Sequence, residues 1–461
     1  ILQRACSALV LSEETDQTHA PLAEQWQAFA RASTQRTLPL DAEAIIAAAA
    51  RAGIPVQKLD RAPFQSRPGD FRVRSGGGLR LGQCCHQHMV DGTFCVSRAN
   101  PEEALERDRG AALRLLRQLG LPRPEDNLEL GGSSGPARAR RTAGRIGYPM
   151  LCLDRERQSS IPAIPVYNEQ QLMEAIARFE SGGPPLLQQR PAGALHLALV
   201  GNGRLLCILQ AGAEVATTRD VSGQCPGELR SQIEQAAGAI EAGLVCFSLV
   251  SENISDAPVS FVDINVAPRL DSFLAPESEY MAAAADALVA WIFPLGTPCR
   301  VPIVAVTGTN GKTTTTNMIH WLLRHDGRRP GMAISDGIYD TERQMLASGD
   351  QSGIYAHSIL LGDPRFDCLA LETAHGGMAS SGFAFDSCDV AICLNVTRDH
   401  LFQFGIESVE DMAAVKRGLP ARARQGVVIN VDNPQTRAML PFPEAERICL
   451  VSLSLTFAEL E

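Results

Sequence analysis

The stretch that decides the fold is residues 301–314, which read V-P-I-V-A-V-T-G-T-N-G-K-T-T. Residues 301–306 form a short apolar run with the length and composition of a buried strand. A glycine-containing turn follows, and residues 313–325 predict a helix. A strand, a glycine turn and a helix N-terminus together form an anion site, because backbone N–H groups and the helix dipole face the same point. The stretch therefore predicts a phosphate-binding loop.

Each residue type in the turn suits a phosphate ligand. Gly308 and Gly311 let the backbone wrap closely around phosphate oxygens, and Lys312 supplies positive charge for the β- and γ-phosphates of a nucleotide. A hydroxyl from Thr313 or Thr314 can reach Mg²⁺. The candidate nucleotide-binding residues of the loop are Gly308, Thr309, Asn310, Gly311, Lys312, Thr313 and Thr314.

The loop is a variant of the general pattern. The generic spacing requires a glycine at position 306, and this chain has valine there. A glycine-rich turn that binds no nucleotide is therefore the alternative interpretation.

From residue 301 onward, short apolar runs alternate with helical patterns. Further strand candidates are residues 332–334, 368–371, 390–394 and 427–430. This alternation predicts a mainly parallel sheet with helices on its faces. Polar segments follow two of these strands, at the edge where open α/β sheets bind their ligands.

Those two polar segments carry a family resemblance. Residues 371–377 read L-E-T-A-H-G-G, and residues 395–401 read N-V-T-R-D-H-L. Together with the phosphate loop, they resemble the central domain of the Mur ligase superfamily. The resemblance implies binding of ATP and Mg²⁺ and catalytic roles for Lys312, Glu372 and His400. The implied metal set is Thr313, Glu372 and His400, and the implied nucleotide contacts also include Asn395 and Asp432.

Two further positions leave alternatives open. Lys416 lies on a helix sixteen residues after His400, where some Mur ligases have a carbamylated lysine that binds metal. A lysine on the exposed face of a surface helix is the other interpretation. Asp432 begins a D-N-P turn like the one that contacts the nucleoside in the family, but a plain turn would have the same sequence.

The resemblance extends to one multidomain family. Residues 335–339, 348–350 and 361–365 resemble cyanophycin synthetase, which fuses an N-terminal domain, an ATP-grasp domain and a Mur-ligase-like domain. The resemblance predicts an α/β multidomain protein. Its domains would be a small α/β N-terminal domain (1–95), an ATP-grasp-like α+β domain (96–297) and a Mur-ligase central domain (298–461).

The middle part departs from the ATP-grasp pattern. Leu153 stands where that family has a lysine for the ATP phosphates, and residues 155–160 lack the family's glycine-rich loop. Of the metal-binding positions, Asp263 and Asn265 remain, and two such ligands without a phosphate clamp bind Mg-ATP poorly. We expect a degenerate domain that serves as a scaffold or partner surface.

The implied reaction is amide formation through an acyl phosphate, by an ATP-dependent acid–amino acid ligase with one working site. In the resembling family this site adds arginine to an aspartate side chain. The alternatives are an amide ligase of another small-molecule pathway and a nucleotide-binding pseudoenzyme. The Mur lid domain would follow Glu461, so we expect either a protein that lacks it or an incomplete sequence.

Composition excludes some classes of function. The 461 residues carry a formal net charge of -10, so a nucleic-acid surface is not expected. Eighteen consecutive uncharged apolar residues do not occur, so no membrane span is expected. The expected partners are ATP and an amino acid or peptide carboxylate, in a homo-oligomer.

The 13 cysteines include no C-x-x-C pair, which favours reduced thiols and a cytoplasmic protein. Two cysteines and two histidines occur within residues 84–88. A metal site there is disfavoured, because neighbouring side chains on a strand point to opposite faces.

Overall fold

The computed structural model describes residues 38–59, 78–95, 105, 108–126, 136–154, 163–178, 185–212, 218–398, 402, 404–442 and 444–456. The chain divides into two compact units, residues 1–39 and 40–461. All elements below belong to the second unit.

The described helices are α1 (Leu40–Arg51), α2 (Arg109–Gln118), α3 (Pro136–Ile146), α4 (Glu169–Ala177), α5 (Gly227–Ile240), α6 (Glu279–Ile292), α7 (Lys312–His325), α8 (Ile354–Leu361), α9 (His375–Ser381), α10 (Val409–Arg417) and α11 (Pro434–Arg437). The strands of the first three sheets are β1 (Val56–Lys58), β2 (Gly78–Leu81), β3 (His88–Asp91), β4 (Phe94–Cys95), β5 (Met150–Leu153), β6 (Ile164–Val166), β7 (Leu186–Gln189), β8 (Ala194–Gly201), β9 (Arg204–Ala211), β10 (Thr218–Asp220), β11 (Leu244–Ser251) and β12 (Ser260–Asn265).

The first sheet has the order β1-β2-β3-β4 and is antiparallel. Residues 84–86, between β2 and β3, form a 3-10 turn, so the prediction of a strand there was wrong. Asp41 is the second residue of α1, and its carboxylate accepts a hydrogen bond from the Ala42 N–H at 2.9 Å.

Two antiparallel sheets form the middle part. One has five strands in the order β10-β9-β8-β11-β12, and the other has three in the order β6-β5-β7. The strands β8 and β9 pair as a hairpin across residues 202–203. Its turn needs positive φ angles, which Asn202 and Gly203 adopt at 46° and 75°.

The third part is an eight-stranded sheet. Its strands are β13 (Ile303–Thr307), β14 (Pro330–Ile334), β15 (Gly337–Tyr339), β16 (Met345–Ser348), β17 (Cys368–Glu372), β18 (Cys388–Cys393), β19 (Ala423–Asn430) and β20 (Arg447–Val451), in the order β16-β15-β14-β17-β13-β18-β19-β20. Six of them are parallel, so the predicted mainly parallel sheet is confirmed. The antiparallel pair β15–β16 was not predicted.

The first sheet packs against the eight-stranded one. The Cys84 side chain is fully buried in the same apolar cluster as Val301 and Phe366. Its thiol donates to the Leu360 carbonyl at 3.3 Å. A Cβ at Gly362 would lie 1.9 Å from a guanidinium nitrogen of Arg80, so a larger residue there would require the Arg80 side chain to move. Residues far apart in sequence therefore complete one core.

None of the helices in the described ranges combines the length and apolarity needed to cross a bilayer. The twelve cysteines in the described part of the chain are all free thiols. Burial raises the pKa of the thiols of Cys152, Cys207, Cys246 and Cys393 to about 12, which keeps them protonated.

Candidate nucleotide-binding site

The phosphate loop joins β13, at the centre of the sheet, to α7. Gly308 and Gly311 have φ angles of 152° and 86°, in the region that favours glycine. A Cβ at Gly308 would lie 3.0 Å from the Leu394 Cβ, and one at Gly311 would lie 3.3 Å from the Leu394 Cδ1. Leu394 thus packs behind both glycines, so a side chain at either position would be crowded by Leu394 in addition to being strained by the positive φ. Sequence reasoning missed this contact.

Asn395 holds the first half of the loop. Its side-chain oxygen accepts from the N–H groups of Thr309 at 3.0 Å and Asn310 at 2.9 Å. Its amide nitrogen donates to the Asn310 carbonyl at 3.1 Å. Asn395 was predicted to contact nucleotide, and the structure places it against the loop backbone. The amides of Thr309 and Asn310 are engaged by it, so the candidate anion-binding N–H groups are those of the first turn of α7.

A cluster of charge and hydroxyls forms at the start of α7. The Thr313 hydroxyl donates to the Glu372 Oε2 at 2.8 Å and lies 3.1 Å from the Ser335 hydroxyl. The Lys312 Nζ is 4.0 Å from the Glu372 Oε1. Glu372 is only 2% exposed, yet it ends β17 beside the loop. Three of the predicted site residues therefore meet at the carboxyl edge of the sheet.

Two further groups form hydrogen bonds to Glu372. The Ser335 N–H donates to its Oε2 at 3.1 Å. The His357 Nε2 lies 2.9 Å from its backbone carbonyl, and burial lowers the pKa of His357 to about 4. A neutral imidazole can donate this bond without adding a charge beside the carboxylate. Ser335 belongs to a segment that the sequence had singled out, whereas His357 carried no sequence signal.

Lys416 reaches the loop from α10. Its side chain is 1% exposed, and its Nζ donates to the Thr309 hydroxyl at 2.9 Å. The Thr397 N–H donates to the same hydroxyl at 3.0 Å. Of the two interpretations of Lys416, the exposed surface lysine is therefore wrong, because the side chain is a buried contact of the phosphate loop.

Asp432 lies in a turn next to the Asn395 segment. Asn433 of that turn exchanges two hydrogen bonds with the backbone of Val396, at 3.3 and 3.0 Å. The Asp432 carboxylate accepts from the hydroxyls of Ser452 and Ser454 and from the N–H of Leu453, and these bonds lower its pKa to about 2. In the structure, then, it secures the turn after β20.

Two of the predicted site residues remain to be described. Thr314 is exposed on α7, beside the cluster. His400 lies outside the described residues, so the structure does not place it.

The side chains present fit a magnesium ion bound with a nucleotide. The hydroxyl of Thr313 and the carboxylate of Glu372 are hard oxygen donors, which Mg²⁺ prefers. The described residues contain no group of three or more histidines, cysteines or carboxylates that could hold a metal by itself. At nucleotide sites Mg²⁺ commonly takes one or two protein ligands and completes its shell with phosphate oxygens and water.

Comparison with known proteins shows what this part of the chain is similar to: residues 306–456 match the Mur ligase middle domain. The chain is also similar to the cyanophycin synthetase of Synechocystis sp., with 36% identity over 214 residues, covering 46% of this chain and 24% of that protein. Both resemblances inferred from the sequence are thus confirmed.

A second relative is a UDP-N-acetylmuramoyl-L-alanyl-D-glutamate--2,6-diaminopimelate ligase from Caldanaerobacter subterraneus, 27% identical over 233 residues, covering 48% of this chain and 46% of that protein. This chain spans about a quarter of the length of the cyanophycin synthetases that it matches. Among solved structures, the ATP-grasp ligase PsnB matches 41% of this chain and 60% of its own at 18% identity. The TM-score of 0.34 is too low to support an argument.

The buried contact of Lys416 leads to a prediction. Lys416→Met introduces an apolar side chain of similar length. It removes the hydrogen bond to Thr309, so the loop loses one of the contacts that hold it. We expect ATP affinity to fall about tenfold, as for one charge-assisted hydrogen bond. Isothermal titration with Mg-ATP measures it. Lys58→Met removes an exposed lysine and is the control. Unchanged affinity in Lys416→Met would mean that the hydrogen bond from Lys416 to Thr309 does not support ATP binding.

Proposed function

We propose that this chain carries an ATP-dependent ligase site that activates a carboxylate as an acyl phosphate and joins it to an amine. The observation that carries the proposal is the cluster of Lys312, Thr313 and Glu372 at the N-terminus of α7. An ammonium, a hydroxyl and a carboxylate at a helix N-terminus suit a magnesium nucleotide. The matched relatives, which are named as ligases and a synthetase, support the same class.

Each residue has a proposed role. The first N–H groups of α7 bind the phosphates, and the Lys312 ammonium offsets the negative charge on the γ-phosphoryl group as it moves to the carboxylate. Thr313 and Glu372 would hold Mg²⁺, which supplies charge neutralisation and orientation of the phosphates when bound. His400 keeps the role of metal ligand that the family resemblance implies. Asn395 fixes the loop that these groups depend on.

The reaction has two steps. A substrate carboxylate oxygen attacks the γ-phosphorus of ATP, and ADP leaves. The amine nitrogen then attacks the acyl carbon and loses a proton, and inorganic phosphate leaves as the amide forms. The protein contributes mainly position and electrostatic stabilisation, because the phosphoryl group itself requires little covalent chemistry from side chains.

The substrates follow from the relatives only as a class. We propose an amino acid or a peptide carboxylate as the acid and an amino acid as the amine. Arginine is the first candidate amine, from the resemblance to cyanophycin synthetase. We also propose domain boundaries near residues 95 and 297. The middle domain would be a degenerate ATP-grasp-like domain, and the protein would assemble as a homo-oligomer.

The test is carboxylate-dependent ATP turnover. The chain is incubated with Mg-ATP, aspartate-containing peptides and an amine panel of arginine, 2,6-diaminopimelate and L-alanine, and ADP and amide are measured. With a heavy-oxygen-labelled carboxylate, one label should appear in the released phosphate, because the acyl phosphate transfers that oxygen. ATP binding with no carboxylate-dependent ADP would contradict the ligase and favour the pseudoenzyme.

A further inference from the structure

A cavity lies in the middle part of the chain and shares no residue with the phosphate loop. It has a volume of about 420 Å³ and opens between the three-stranded and the five-stranded sheets. Its apolar walls are Leu151 and Leu153 on β5, Leu195 on β8, Val250 on β11 and Val262 on β12. This volume is within the range of small-molecule sites, and mostly apolar walls are typical of them.

One buried polar group faces this cavity. Gln188 on β7 lies opposite Leu151 in the sheet and is 2% exposed. Within the part of the chain that the structure describes, its side-chain nitrogen has no hydrogen-bond partner. A buried N–H donor without an acceptor destabilises a fold, so such groups are rare and call for an explanation. A ligand that brings an acceptor into the cavity supplies one.

The charged residues that line the cavity determine which sign of charge a ligand should carry. Among the described lining residues, the charged ones are Arg109, Arg190 and Asp263. The Arg109 Nε lies 3.9 Å from the Asp263 Oδ2, which balances one positive charge. Arg190, at the exposed mouth, donates to the Tyr167 hydroxyl, which is uncharged. The lining therefore has a net charge of about one positive unit at neutral pH.

We propose that this cavity binds a small carboxylic acid with an apolar body. The carboxylate accepts a hydrogen bond from the Gln188 amide and neutralises the excess positive charge. The apolar body packs on Leu151, Leu153 and Val262. A nucleoside triphosphate does not suit the site, because it carries several negative charges and Leu153 offers its phosphates no cation. The site is independent of the proposed ligase reaction at the phosphate loop.

The probe is 3-phenylpropanoate, and 3-phenylpropylamine is the probe of matched body and opposite charge. Ligand-observed NMR titration of the intact chain is expected to give a dissociation constant of about 1 mM or tighter for the acid and no saturable binding for the amine. Saturating Mg-ATP should not displace the acid. No saturable binding of the acid, equal binding of the amine, or displacement by Mg-ATP each overturns the proposal.

Variants connect the binding to Gln188. Gln188→Leu is expected to weaken acid binding at least tenfold, the loss for one hydrogen bond to a charged group, without lowering Tm, because the unpaired amide is gone. Gln189→Leu, on the opposite and exposed face of β7, should change neither quantity. A lower Tm in Gln188→Leu with unchanged affinity would make Gln188 purely structural and overturn the proposal.

A second variant tests the cavity without changing the buried residue Gln188. Leu195 is 41% exposed at the mouth of the cavity, so Leu195→Trp narrows the entrance without overpacking the core. We expect acid binding to be lost at an unchanged Tm. Retained binding in this variant would contradict the location of the site.

Discussion

Lys312→Ala is expected to reduce ATP turnover about 10²–10³-fold, the loss typical when one group that stabilises transition-state charge is removed. ATP affinity should fall as well, because the ammonium lies beside the loop at the N-terminus of α7. Its Nζ is 3.1 Å from the Thr309 carbonyl, to which it donates, and it can turn toward a phosphate without a backbone change. The measurements are isothermal titration with Mg-ATP and steady-state ADP release.

The matched control for this variant is Arg328→Ala. It also removes one positive charge from the chain, but from an exposed residue beyond the end of α7. Both variants change the net charge equally, so a general electrostatic effect would appear in both. If Lys312→Ala binds ATP as tightly as the unchanged protein, the assignment of residues 308–314 as the nucleotide loop is wrong.

Glu372→Gln is expected to lower turnover by a similar factor and to raise the Mg²⁺ concentration needed for half-maximal rate. The amide keeps the size of the carboxylate and can still accept from the Thr313 hydroxyl and the Ser335 N–H. It carries no charge, however, and neutral oxygens hold Mg²⁺ more weakly than carboxylates do. The shape of the site is thus kept while its affinity for the ion is reduced.

The experiment is a magnesium titration of ADP release at saturating ATP. Glu410→Gln, an exposed carboxylate on α10, is the control and should give the unchanged curve. Should Glu372→Gln show the normal magnesium dependence, its carboxylate does not contact the ion. A fall in Tm alone, with normal turnover per folded molecule, would leave Glu372 a structural role only.

The local part of the site could be read from the sequence. A strand, two glycines and a helix start are set within residues 303–313, and glycine is required there by φ angles that other residues avoid. Glu372 was implied by the family resemblance of residues 371–377, and its position after an apolar strand agrees with that role, because strand ends of a parallel sheet meet at one edge. Such features depend on neighbours in the chain, so a single sequence contains them.

The long-range contacts could not be read in this way. Leu394 packs behind glycines more than eighty residues earlier, and Lys416 bonds to Thr309 over a separation of 107 residues. Nothing in the composition of α10 marks its lysine as buried, since both the first and the last turn of the helix carry charged residues. These contacts depend on how β18 and α10 are placed by the whole sheet, which periodicity does not specify.

The contact between Cys84 and Leu360 joins residues 276 positions apart. At roughly 5–20 residues per second, the ribosome adds Leu360 about 15–55 s after Cys84. For most of that interval the turn between β2 and β3 has no core to enter, because Val301 is added only 217 residues after Cys84, and Phe366 is added after Leu360 itself. The part of this core that is synthesised first is consequently completed last, and nascent chains stalled before residue 366 should present an apolar turn to chaperones.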